Sequence, residues 1–397
     1  MTEEEIQLDP EKQEQARNYA RIRRRLMAFE MLLSTVYLIL WLAVGWHRQI
    51  QPVLEGWFGA GIPWWLRLLL TAAVIGLPYA VITAPISYYS GFVLPHRFDL
   101  STQSLQDWLI DQIKGMAVSL ALGLPLLVGL YAVIRNAPET WWLWAAGLYT
   151  LVTAVLAALA PVLLLPIFFN VEPLSEDYET LRQRLIRLAR SASTKIEGVF
   201  EIDMSRRTKA ANAALTGLGK TRRILLGDTL LEEFSEDEIE TILAHELAHH
   251  VHGDIPLSIA VQSLLNFVSF LVLYLGFRAL LPMLGLTSQA DPAGLPLVAL
   301  LLGAFALVTM PLTNAYSRWR ERLADEYALN LTRKPKAFAS AMTQLANQNL
   351  AEADPEAWVV WLLYSHPPLK ERIARAVQKQ AYFEFEAVGA DPVGPQG

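Results

Sequence analysis

Four of the seven histidines in this chain fall within eight residues, in HELAHHVH (245–252). His245 and His249 are four apart. On a helix that spacing projects both imidazoles from one face, where they can share a metal ion. The chain contains no cysteine, so thiolate ligands are excluded, and neutral imidazole suits zinc. Glu246, offset along the helix, can serve as general base toward a water held by the ion. A catalytic zinc takes three protein ligands and keeps one position open. His250 points about 100° away from His249, and helix rise carries His252 out of easy reach. No histidine stands six residues after His249, where Ile255 is found. The third ligand must therefore come from a distant segment. SRWRERLADEYA (317–328) offers Glu321 and Asp325 four apart on one helix face, so that one can ligate while the other orients a ligand imidazole.

The elements that must position these groups are legible nearby. Ser235 followed by Glu238 forms a capping-box pattern, which predicts a helix running to about His252 with Gly253 as its stop. SEDYETLRQRLIRLARSAS (175–193) reads as an amphipathic helix with Leu181, Leu185 and Leu188 on one side. VFEIDM (199–204), KAANAALTGLG (209–219) and RRILLGDTLL (222–231) read as short strands, the last two joined by a turn around Gly217 and Gly219. GADPVGPQG (389–397) reads as a disordered tail.

The remaining sequence is of another kind. Of 397 residues, 53% are hydrophobic and 18% charged, against about 25% charged in an ordinary globular domain. The mean hydropathy is +0.29. A membrane span needs about 20 mainly apolar residues, and six stretches qualify: 26–46, 68–95, 115–134, 140–171, 255–277 and 292–317. The acidic N-terminus gives no sign of a cleavable signal peptide. If the N-terminus is inside, 29 of the 33 Lys and Arg lie on the inner side and only Arg48, Arg67, Arg135 and Arg278 on the outer. That asymmetry places both termini and the polar 172–254 segment in the cytoplasm. The expected organisation is residues 1–171 with four spans, 172–254 as the cytoplasmic part with the edge strands and the HELAHH helix, 255–317 with two spans, and 318–397 carrying the third ligand. A net charge of −6 offers no nucleic-acid footprint.

HELAHH, two spans, SRWRERLADEYA and then SHPPLKERI (365–373) resemble the membrane-embedded zinc endopeptidases of the CAAX prenyl protease family. HRFDLSTQSLQDW (96–108), LLLPIFFNVEPL (163–174) and ANAALTGLGKTRRILLGDTLL (211–231) extend the likeness over most of residues 20–380. The shorter heat-shock membrane metalloproteases share the zinc motifs but are not expected to carry HRFDLSTQS. Eukaryotic members have seven spans where six are counted here, and GWFGAGIPWW (56–65) is too short to be another. The resemblance implies a mainly α, polytopic membrane protein. About six helices would ring an intramembrane chamber, and a small cytoplasmic α+β zinc metalloprotease domain would hold one Zn2+. It implies His245, His249 and Glu321 as ligands, Glu246 as base and Asp325 as support. Asn212 falls on the edge strand that lies along the substrate, in keeping with peptide addition to an open sheet edge. His366 is placed to meet the developing oxyanion and Arg372 to grip a carboxylate or carbonyl.

Eukaryotic relatives act on prenylated C-a-a-X tails, and the same scaffold can cleave membrane or misfolded proteins without a lipid. The compact, cysteine-free chain with short outer loops points to a prokaryotic cell membrane. General endoproteolysis of membrane-associated proteins, in quality control, therefore ranks above dedicated prenyl-protein processing. A non-catalytic zinc scaffold or transporter is the rival from another class. Intact Glu246 argues against it, because a structural zinc site has no need of an adjacent base.

Overall fold

The computed structural model describes residues 7–59, 61–217 and 221–389. Among them, six helices are long and apolar enough to cross a membrane: Pro10–Ala43, Trp64–Arg97, Leu105–Asn136, Trp141–Ala160, Asp254–Leu284 and Pro292–Thr332. Their most apolar windows are only 0–22% buried in protein. Soluble core helices would be covered, so these side chains take hydrocarbon as their solvent. Each span packs on the next in chain order and the sixth packs back on the first, closing a ring.

Most spans outrun the apolar stretches seen in the sequence, because a helix ends at a cap and not where lipid ends. Span one begins at Pro10, capped by the Asp9 carboxylate, which accepts from the Glu11 and Lys12 N–H groups. Span two passes through a π-helical turn at Tyr89–Val93. The fourth apolar run, expected to reach residue 171, breaks at Leu164, continues as a short helix over Leu165–Phe168 and gives way to a strand at Val171–Pro173. GWFGAGIPWW is not a span: Trp46–Phe58 is a short helix that buries His47, Ile50 and Leu54 against its neighbours. The helix of span six, Leu295–Thr332, has 38 residues, about 57 Å at the usual rise. That is nearly twice the hydrocarbon thickness, so its second half must enter the water-facing part.

That part is built on four strands: β1 (Val171–Pro173), β2 (Gly198–Ile202), β3 (Ala213–Thr216) and β4 (Arg223–Gly227). Their order is β1-β2-β4-β3, with β2 and β4 parallel and the outer pairs antiparallel. β3 is an edge. RRILLGDTLL is not one strand: β4 ends at Gly227 and Asp228–Glu233 is helical. The Asp228 carboxylate accepts from the Thr229 and Ser205 N–H groups at 2.8 and 2.9 Å, which fixes the helix start. Among its described residues, KAANAALTGLG is strand only over Ala213–Thr216, since Asn349 captures Ala211 first. Gly217 has φ +85°, as a turn there requires, while Gly219 lies outside the described residues. So does the tail beyond Gly389, including the disorder expected there.

The helix Glu179–Ser191 buries Leu181, Leu185 and Leu188. They join Ile224, Leu226, Leu230, Leu243, Leu247 and Phe338 in one core beneath the HELAHH segment.

Candidate metal centre

HELAHH stands on the helix Glu236–Val251. Its start is the expected capping box: Ser235 Oγ accepts from the Glu238 N–H, and the Glu238 carboxylate accepts from the Ser235 N–H at 2.8 Å. Glu238 also accepts from buried Ser340 at 2.6 Å, which ties the cap to the helix Pro335–Gln348. The stop is Gly253, at φ +65°. There the chain turns directly into span five.

Span six brings Glu321 to this helix from 72 residues beyond His249. Its carboxylate oxygens lie 3.1 Å from His245 Nε2 and 3.5 Å from His249 Nε2. One atom from each residue falls within 4.8 Å of the others, a group able to hold a metal ion. Each imidazole turns its other nitrogen to an aspartate: His245 Nδ1 lies 2.9 Å from Asp325 Oδ1, and His249 Nδ1 lies 2.7 Å from Asp254 Oδ2. Each aspartate in turn meets an arginine, Arg372 for Asp325 and Arg320 for Asp254. Two parallel His–Asp–Arg chains thus run outward from one point.

These residues fit a divalent cation. With Nδ1–H donated to an aspartate, each Nε2 carries its lone pair toward Glu321. Lone pairs facing a carboxylate repel unless a positive charge lies between them. Glu321 Oε2 is buried and finds no well-oriented hydrogen-bond donor, although His245 Nε2 is close. The same field binds protons tightly. Burial opposes the charged imidazole of His245, yet the carboxylates of Asp325 and Glu321 overcome it and raise the pKa to about 9.

A cavity of about 920 Å³ opens against one side of this group. Glu246, Asn212, Ala213 and His366 line it, together with Leu26, Met27 and Glu30 of span one. Asn212 is exposed at the entry to β3, and Asn349 holds the preceding Ala211 through both its N–H and its C=O, at 2.9 and 3.1 Å. His366 Nε2 reaches to 3.5 Å from Glu321 Oε1, and its Nδ1 lies 2.9 Å from Ser365 Oγ. Loss of hydration pushes the His366 imidazole below its ordinary range, with Arg372 and the two neighbouring histidines adding to the effect and Glu321 opposing.

Arg372 grips a carboxylate of the chain itself. It is 8% exposed, and its guanidinium donates to both Asp325 oxygens, Nη2 at 2.6 Å and Nε at 2.9 Å. That carboxylate engages Nε and Nη2, while Arg372 also borders the cavity. Asp254, Arg320 and Asn349 have no counterpart in the sequence reading. For Asp254 a signal existed: it stands five residues after His249, just past the helix stop, where a bend folds it back onto the ring.

Two histidines four apart with a carboxylate from another helix, at the mouth of a ring of membrane spans, define a membrane-embedded metallopeptidase. The model of peptidase family M48 matches residues 175–380, and that of the CAAX prenyl protease N-terminal segment, described as five membrane helices, matches residues 3–170. The chain belongs to peptidase family M48, whose members are in general zinc-dependent. Among the described residues, the N-terminal match holds four span-length helices and the short Trp46–Phe58 helix. The uncharacterised metalloprotease YhfN of Bacillus subtilis is 28% identical over 92% of this chain and 85% of its own. CAAX prenyl protease 1 of Saccharomyces cerevisiae is 29% identical over 93% and 86%. The crystal structure of S. mikatae Ste24p shares the fold, with a TM-score of 0.83 at 24% identity over 94% of this chain and 90% of that one.

Proposed function

We propose that this chain is a zinc endopeptidase that cleaves membrane-associated proteins at the cytoplasmic face of a prokaryotic cell membrane, in protein quality control. The convergence of two imidazole Nε2 atoms and the Glu321 carboxylate beside Glu246, at a cavity bordered by an open strand edge, carries this reading. His245, His249 and Glu321 hold one zinc ion. An ion held there would acidify a water and polarise the scissile carbonyl. The Glu246 carboxylate takes the proton of the attacking water and passes it to the departing amine.

The outer edge of β3 offers N–H and C=O groups to an extended peptide, with Asn212 at its entrance as a further donor to the substrate backbone. His366 donates from Nε2 to the developing oxyanion. That needs a neutral ring with its proton on Nε2, which the lowered pKa favours and which a Ser365 hydroxyl donating to Nδ1 selects. Asp325 and Asp254 fix the ligand imidazoles. Arg372 positions Asp325 and borders the cavity in which the substrate would lie. The excess of Lys and Arg on inner segments supports the cytoplasmic placement, and the acidic chain makes peptides, not nucleic acid, its partners.

Processing of prenylated C-a-a-X tails is the second reading. It is favoured by the apolar wall that Leu26 and Met27 give the cavity and by the name of the yeast relative. A non-catalytic zinc scaffold or transporter is the third. Glu246→Gln separates the enzyme from the scaffold: zinc should stay bound while cleavage of casein and of a farnesylated peptide falls by about 100-fold or more. Full activity in the zinc-loaded variant would refute the assignment. Chelator-sensitive cleavage of the farnesylated peptide alone would favour the second reading, and of neither substrate the third.

A further inference from the structure

The short helix Ala357–Leu363, AWVVWLL, turns two tryptophans outward. Trp358 is 58% and Trp361 59% exposed, while Val359 between them is fully buried. Spaced three apart, the two indoles share a face. Left in water, both would keep most of their apolar surface hydrated. Span six sets the depth of this helix. Asn314 Nδ2 donates to the Leu362 carbonyl at 2.7 Å, and Arg318 donates to the carbonyls of Val360, at 2.9 Å, and Tyr364. Arg318 is also where the uncharged run 292–317 ends, and its neighbour Trp319 is 50% exposed. The helix therefore lies level with the point at which span six leaves the hydrocarbon. Indole prefers that boundary, with its ring in the acyl edge and its N–H toward water. The Trp358 N–H already has a polar partner, the Glu356 carboxylate at the helix start.

The next residues, Tyr364, Ser365 and His366, line the cavity beside Glu246. We infer that Ala357–Leu363 is a membrane-interface anchor. Trp358 and Trp361 sit in the headgroup–acyl boundary of the leaflet nearest the metal centre, and the bilayer thereby holds the His366 strap in register with Glu321. The occupant of this face is phospholipid.

Because the chain has no cysteine, single substitutions label uniquely. Trp358→Cys and Trp361→Cys, each carrying an NBD fluorophore, are placed in phosphatidylcholine–phosphatidylglycerol nanodiscs with and without a lipid bearing a doxyl quencher near the headgroup. The same label at Gln183→Cys, on the exposed side of a water-facing helix, is the control. Quenching at 358 and 361 but not at 183 is expected. Equal, water-like behaviour at all three would overturn the anchor. Shielding that appears only as protein concentration rises would assign the face to a second copy and overturn it equally.

The coupling to the strap rests on the peptidase reading, whereas the depth measurement needs no catalysis, so the two can fail separately. Trp358→Ser/Trp361→Ser in nanodiscs should lower peptide cleavage about fivefold at unchanged zinc content, and phenylalanine at both positions should restore most of it. Unchanged cleavage in the serine pair, or a loss that phenylalanine does not restore, would refute the coupling.

Discussion

Replacing Asp325 with Asn keeps the shape of the side chain and removes its charge. Asp325 is 1% exposed. It accepts from Arg372 at 2.6 and 2.9 Å and faces His245 Nδ1 at 2.9 Å. Two losses follow, and they differ in size and in remedy. Arg372, itself 8% exposed, is left without its counter-charge, and breaking one side of a buried pair costs about 3–5 kcal/mol of stability. His245 loses the charged acceptor that fixes its tautomer and direction, and meets instead an amide that can as well turn a donor toward it. The lost support is worth about 10–100-fold in metal affinity, or about 1.4–2.8 kcal/mol. Asp325→Asn/Arg372→Met removes both charges. It should recover most of the stability and none of the zinc affinity. Unfolding is followed in chelator, because bound metal stabilises the folded state by itself, and zinc affinity is measured by competition with a chromophoric chelator. An Asp325→Asn protein that binds zinc as tightly as the parent, or a double variant that regains affinity, would show that Asp325 does not orient His245.

Glu321→Gln should bind zinc at least tenfold more weakly while the capped helix and sheet stay folded; unchanged occupancy by elemental analysis would exclude Glu321 as ligand. Because the carboxylates of Asp325 and Glu321 raise the His245 pKa to about 9 against the effect of burial, zinc must displace a proton at neutral pH. Apparent affinity should therefore climb as pH rises toward 9 and then level off, and a flat profile between pH 6 and 8 would contradict the coupling. Glu240 sits between Arg184 and Lys334, which overcome its burial and lower its pKa. A depressed carboxyl pKa contributes stability above the unfolded value, near 4.3, and loses it as pH falls through the folded one. Glu240→Gln should thus cost about 1 kcal/mol at pH 7, and that cost should shrink steadily as the pH falls below the unfolded value. A cost that does not change with pH would point to packing instead.

How much of this could be read in advance depended on how far each signal reaches along the chain. The Ser235–Glu238 cap, the His245–His249 face and the Gly253 stop are local, and helix geometry alone foretells them. So are the six apolar runs, whose composition is dictated by the solvent they meet. Glu321 and Asp325 were visible as a pair of acids four apart, yet their nearness to the histidines is a product of the long sixth helix, which no short window displays. The contacts not foreseen have the same origin. Arg372 carries no local mark of burial, and only the packed structure reveals the carboxylate waiting for it. Asn349 grips Ala211 from 138 positions away. In RRILLGDTLL the apolar alternation outweighed the meaning of Asp228, a carboxylate placed to begin a helix.

The 38-residue helix of span six makes Glu321 a passenger on a lever. Glu321 lies 26 residues from Leu295, about 39 Å along the rod, so a tilt of only about 3° swings it by about 2 Å. His245 and His249 ride on a different rod, joined to span five through Gly253. Transmembrane helices adjust their tilt to the thickness of the bilayer, and here any difference in tilt between two neighbouring spans becomes a change in the distance between imidazole and carboxylate. The chemistry is geared to the mechanics of the lipid around it.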